Sequence, residues 1–123
     1  MLKLQPENVL NYVNLASIAS QLGRIELAEK VLVEATKACP EVAFPFGELA
    51  RIGLDKRNFA SVREWAAMAQ KLDSQNIEWY LMSAIAAEAL GDTVDLANLL
   101  EQARRISPND PRLEIFVVTH SKK

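Results

Sequence analysis

The stretch QLGRIELAEKVLVEATKACP, residues 21–40, decides how this chain is read. Gly23 interrupts a run of apolar residues, a second run follows, and Pro40 stops it. Within the second run, Ala28, Val31, Leu32 and Ala35 recur at intervals of three and four, which places them on one face of a helix. A helix this short is marginal by itself in water. Its apolar face needs a partner, and the flanking sequence has to supply it.

The flanks repeat the same pattern. Shifted by 34 residues, the sequence overlays on itself without a gap. Tyr12, Phe46 and Tyr80 share that spacing, as do Ala16, Ala50 and Ala84, and again Ala35, Ala69 and Ala103. Pro6 precedes Pro40 by one period, Pro40 precedes Pro108 by two, and Gly23 precedes Gly91 by two. Leu4, Ala38, Leu72 and Ile106 close successive units. The spacing predicts three units, 9–42, 43–76 and 77–110, each a helix, a short turn and a second helix. Helices are expected near 9–22, 25–38, 43–55, 59–71, 77–90 and 94–106. Residues 1–8 stand in register as the tail of an earlier unit. Residues 111–123 read as the start of a further or capping helix. The apolar run at Ile115, Phe116, Val117 and Val118 replaces the polar cap expected at the end of an array, so the chain reads as a piece of a longer one.

The turns carry their own chemistry. Gly23 and Gly91 suit a left-handed helix end. Arg57 stands at the same place in the middle unit, at about 1 kcal/mol if that conformation is kept. Asn58 and Asp92 are placed to cap the helices that follow. Lys71, Arg104 and Arg105 fall in final turns, where positive charge opposes the helix dipole. Pro40 and Pro108 end helices and turn the chain into the next unit. No unit can bury its own face, so stacking of neighbours must complete the core.

These positions resemble the tetratricopeptide repeat (TPR): an aromatic, a leucine with a small residue, then a second helix marked by alanine, a large apolar residue and proline. Tyr12, Leu15, Ala16, Gly23, Ala28, Leu32, Ala35 and Pro40 carry the first unit. Phe46, Leu49, Ala50 and Ala69 carry the second, which has Val62 for alanine and Ser74 for proline. Tyr80, Ala84, Gly91, Leu100, Ala103 and Pro108 carry the third, which departs at Ser83 and Leu96. The resemblance implies an all-α, right-handed α-solenoid of three full units with flanking partial repeats. It implies a concave groove lined by the first helix of each unit. Carried onto this sequence, the groove presents Leu10, Val13, Asn14, Ser17 and Gln21, then Phe44, Gly47, Glu48, Arg51 and Asp55, then Glu78, Leu81, Met82, Ile85 and Glu88.

That set mixes apolar side chains with four carboxylates and one arginine, which favours a ligand segment with apolar side chains and net positive charge. Family members that hold a chaperone's C-terminal carboxylate use lysine, arginine and asparagine at set groove places. Here those places hold Val13, Ser17, Glu48, Glu78 and Met82, and two acids there repel a carboxylate. The function expected is a non-catalytic protein–protein interaction scaffold. The alternative is a structural module that stacks end to end, with weak self-association through exposed repeat ends.

Other classes find little support. A net charge of −2 and an acidic groove argue against nucleic acid, including RNA-binding helical repeats with basic inner faces. His120 is the lone histidine and reads as a solvated tail residue, so no nucleophile–histidine pair is available. Cys39 is the lone cysteine and reads as a packed thiol, with no disulfide and no thiolate metal cluster. No glycine-rich phosphate loop is present among four glycines. Trp65 and Trp79 read as inter-repeat packing. No catalytic residue, cofactor or metal ligand is expected. No apolar run approaches the roughly 18 residues of a membrane span, and no secretion leader stands at the start. These features lean toward a cytoplasmic setting, with export open for a piece of a longer chain.

Overall fold

The computed structural model of the protein describes residues 9–114. Expectations that fall on Leu4, Pro6, the 115–118 run and His120 lie outside them. Six helices follow in order: α1 (Val9–Gln21), α2 (Ile25–Ala38), α3 (Ala43–Asp55), α4 (Phe59–Leu72), α5 (Ile77–Leu90) and α6 (Thr93–Ile106). Every boundary falls within one residue of the spacing-based expectation. Each helix packs on the next, and α3 also touches α5. No strand occurs among the described residues.

The hairpin turns follow one recipe. Gly23 and Gly91 have φ of 80° and 77°, and Arg57 holds the same left-handed geometry at 60°. The next amide in each turn reaches back five residues: Arg24 N–H donates to the Ala19 carbonyl at 2.8 Å, Asn58 to Gly53 at 2.9 Å and Asp92 to Ala87 at 2.9 Å. This closes orphan carbonyls at the helix ends. Arg57 alone pays the Cβ penalty of that conformation. Arg57→Gly is therefore expected to stabilise the chain by about 0.5–1 kcal/mol. A melting scan should show a rise of roughly 3–5 °C.

Caps fix the second helices. The Asn58 side chain accepts from the Ser61 N–H at 3.5 Å and Asp92 from the Asp95 N–H at 3.1 Å. Asn76 adds a cap that the repeat pattern did not reveal, accepting from the Glu78 N–H at 3.0 Å.

The core runs the length of the stack in three clusters; the first two each join two hairpins, and the third joins α5 and α6 with Leu113 beyond them. Ala16 and Ala19 of α1 and Ala28 and Leu32 of α2 are buried with Leu49 and Ile52 of α3. Phe46, Ala50, Val62, Ala66 and Ala69 are buried with Trp79, Met82 and Ala86 of α5. Tyr80, Leu81, Ala84, Leu96 and Leu100 close the third around Leu113. Cys39 is buried, and Trp65 is half-buried beside Phe46 with ring centroids 5.9 Å apart. The unit-to-unit departures have local reasons. Val62 replaces a smaller alanine because Gly53 faces it; a Cβ on Gly53 would lie 2.7 Å from Val62 Cγ2. Buried Ser83 replaces leucine because Gln70 Nε2 donates to its Oγ at 2.8 Å, and to the Trp79 carbonyl at 3.3 Å, tying α4 to α5. Leu96 is buried in the third cluster, so the last helix pair accommodates it.

Candidate interaction groove

Because the hairpins stack in register, α1, α3 and α5 form one wall. Two cavities open along it. The first, about 230 Å³, lies between α1 and α3 and is lined by Val13, Ser17, Gln21, Glu48, Arg51 and Asp55, with Ala16, Leu32 and Ile52 as an apolar floor and Ser20 at its side. The second, about 320 Å³, lies between α3 and α5 and is lined by Arg51, Leu54, Glu78, Leu81, Met82, Ile85, Glu88 and Arg112. Arg51 borders both, so the two form one continuous track.

Eleven of the fifteen expected groove residues line this track; Leu10, Asn14, Phe44 and Gly47 do not. The first three are exposed side chains of α1 and α3. Gly47 is also displaced from the expectation: it is buried, and the Trp79 ring covers it. Leu81 and Met82 reach the second cavity only as its floor, since both are buried in the core clusters. The repeat period fixes the helix face of a residue but not its depth, which here depends on what α5 packs against.

The charges are more balanced than the sequence suggested. Arg51 Nε lies 3.5 Å from Glu48 Oε2, within α3. Arg112, which the sequence reading missed, pairs with Glu78 and, at 2.7 Å, with Asp110. A signal existed, because Arg112 follows Glu78 by one period and occupies the same place in the next unit. Four carboxylates thus face two guanidinium groups, and both guanidiniums are engaged by the chain's own acids. Asp55 makes no ion pair among the described residues.

The Arg112 clamp is pH-sensitive at its acid end. The Arg112 side chain donates to Asp110, its backbone N–H donates as well, and together they pull the Asp110 carboxyl down to about 2. The folded value lies below the unfolded one. The contribution to stability is therefore complete above about pH 4 and is lost as pH falls through about 2. A carboxyl-carbon NMR titration should place the Asp110 midpoint near 2, and Arg112→Gln should return it to the ordinary range near 4. On the opposite side, the Asp95 backbone N–H holds Asp92 below its usual value, with Arg63 adding to the effect.

Among the described residues, no cluster of histidine, cysteine or carboxylate side chains is arranged to hold a metal ion, and no helix is long and apolar enough to cross a membrane. What the wall offers is a strip of shallow apolar sockets with a rim of four carboxylates and two guanidinium groups.

No protein-family model and no curated protein sequence matches this chain. Solved structures match it closely in shape. The second TPR domain of human RPAP3, in complex with the HSP70 peptide SGPTIEEVD, superposes with a TM-score of 0.87 at 15% identity, covering 96% of this chain and 99% of that one. The first TPR of Spaghetti (RPAP3), bound to the HSP90 peptide SRMEEVD, gives 0.85 at 15% identity, covering 97% of both chains. The Arabidopsis OM64 TPR domain gives 0.81 at 19% identity, covering 89% of this chain and 91% of that one. With the 34-residue register, the left-handed turns and the stacked helices already established, these matches show that the chain has the tetratricopeptide-repeat fold.

Proposed function

We propose that this chain is a non-catalytic interaction scaffold that holds an extended or helical segment of a partner protein along the α1–α3–α5 wall. The observation that carries this reading is the continuous track through Arg51, with apolar floors at Ile52, Leu81 and Met82, the side chains of Leu54 and Ile85 beside them, and a carboxylate rim. Apolar anchors seated in such sockets, with polar contacts at the edges, are a general mode of peptide recognition. The two solved TPR structures bound to peptides support the use of this fold for that purpose.

The ligand differs in charge from theirs. SRMEEVD and SGPTIEEVD are acidic. Glu48 and Glu78 stand among the places where a carboxylate clamp uses lysine, arginine or asparagine, and Arg51 and Arg112 are held by this chain's own acids. The partner is an apolar segment with flanking lysine or arginine. The test is selection from a random peptide library displayed on phage, followed by fluorescence anisotropy. Enrichment of Leu, Met or Phe beside Lys or Arg supports the reading. The Glu48→Lys, Glu78→Lys double variant should then bind the selected peptides at least about tenfold more weakly, most visibly at low salt. Enrichment of acidic C-termini, or preference for SRMEEVD, overturns the ligand class. Failure to enrich any sequence overturns the groove itself.

A further inference from the structure

The cavity between α1 and α3 reaches the last residue of both helices, Gln21 and Asp55. A helix C-terminus is the negative end of the backbone dipole, and a basic side chain in the last turn offsets it. The second helix of every unit follows that rule: α2 ends with Lys37, α4 with Lys71 and α6 with Arg104 and Arg105. The wall helices do not, because α1, α3 and α5 have no basic residue in the last turn. Helix α3 goes further and ends on an acid, Asp55.

The cations around this end are committed elsewhere or stand away from it. Lys56, next in sequence, donates to Glu29 of α2 at 3.0 Å. Arg24 and Arg57 of the turns do not line the cavity. Arg51 does line it, but its Nε lies 3.5 Å from Glu48 Oε2 in the same lining. Those two charges cancel, and Asp55 leaves the cavity with one net negative charge. Of the groove's four carboxylates, Glu48 pairs with Arg51, Glu78 pairs with Arg112 and Glu88 has a contact of its own. Asp55 makes no ion pair among the described residues. The second cavity has a different character, with Leu54, Leu81, Met82 and Ile85 between its charged ends.

We infer that Asp55 is the specificity-determining residue of the groove. With the C-terminal ends of α1 and α3, it forms a socket for the guanidinium or ammonium group of a ligand arginine or lysine. Ser17 and Gln21 supply neutral acceptors at the same cavity. The ligand's large apolar side chain enters the second cavity. This assignment rests on the peptide-groove reading and adds where each half of the ligand sits. An acid at a helix C-terminus works against the stability of the free chain, and an incoming cation removes that conflict.

The test uses n-propylguanidinium, the end of an arginine side chain, and propylurea, its uncharged counterpart. Each is titrated into the full chain and followed by amide NMR shifts. The cation should bind saturably at low salt, with shifts centred on Ser17, Gln21 and Asp55, and propylurea should not. Asp55→Asn should weaken binding of the cation about threefold or more. The same substitution should not lower the melting temperature, because the acid it removes opposes the dipole. Phage selection repeated on the Asp55→Asn chain should still enrich Leu, Met or Phe and should lose Lys and Arg. No saturable binding of the cation, an equal response to propylurea, or shifts centred on Glu78 and Glu88 overturns the inference. So does a lowered melting temperature of Asp55→Asn, which would assign the residue to the fold. Undiminished enrichment of Lys or Arg on the variant also overturns it, while the peptide groove stands. Selection that enriches nothing on either chain removes the groove and this assignment together.

Discussion

Replacing Gly47 with alanine is expected to lower the unfolding free energy by about 2–3 kcal/mol, although glycine to alanine within a helix ordinarily gains about 1 kcal/mol. The reversal comes from Trp79. Its six-membered ring lies on the Gly47 backbone, and a Cβ on residue 47 would fall inside the van der Waals envelope of three ring carbons. The tryptophan is 3% exposed and packed among Phe46, Ala66 and Met82, so it has nowhere to move. Relief can come only by pushing α5 away from α3. That would also widen the second cavity of the groove, whose walls belong to these two helices. Urea unfolding reads the first effect and peptide affinity the second. Trp79→Leu in the same chain should recover most of the Gly47→Ala loss, giving a coupling of about 1 kcal/mol or more in a double-mutant cycle. Additive losses would show that the ring and the glycine do not meet.

Leu32→Ala is expected to remove about 3–4 kcal/mol, a large fraction of the stability of any domain this size. Leu32 is 1% exposed and sits where α1, α2 and α3 converge, in one cluster with Ala16, Ala19, Leu49 and Ile52. Its fully buried neighbours in the first hairpin, Ala16, Ala19 and Ala28, are too small to close the void. The loss should also be local in effect. Stability in a stacked array is a sum over units and their interfaces, and Leu32 serves both the first hairpin and its interface with the second. Hydrogen exchange should therefore show α1 and α2 opening in the variant while α5 and α6 keep most of their protection. The groove floor between α1 and α3 would be lost with them. Uniform loss of protection over all six helices would contradict this picture.

The fold was legible because the repeat wrote the same instruction three times. Tyr12, Phe46 and Tyr80 are all buried, as are the alanine series at 16, 50 and 84 and at 35, 69 and 103. The left-handed turns at 23, 57 and 91 were readable even through an arginine. The site was legible only in part. A period assigns a helix face, and that is why Val13, Glu48 and Ile85 could be placed on the groove wall from sequence. Depth depends on the size of the neighbour opposite. Trp79 covers Gly47, and the core takes most of Leu81 and Met82; neither fact follows from spacing. The groove's charge was misjudged for a related reason. Arg112 follows the last complete unit, in the segment read as the start of a further or capping helix, and was left out of the groove although its alignment with Glu78 pointed to the contact. Asn76 was not read as a cap: the same place holds Val42 before unit two and Asn8 before unit one, so the three positions form no common series.

The groove wall and two of the three core clusters exist because adjacent hairpins cover one another, and the third draws Leu113 onto the last hairpin. The most direct measurement is far-UV circular dichroism of the middle hairpin alone, residues 43–76, beside the full chain. The excised hairpin leaves the faces of Leu49, Ile52, Ala66 and Ala69 without their partners. It is predicted to be mostly unfolded and to show no cooperative melting, whereas the full chain melts in a single sharp transition. A hairpin that is helical by itself and unfolds cooperatively on heating would contradict the account.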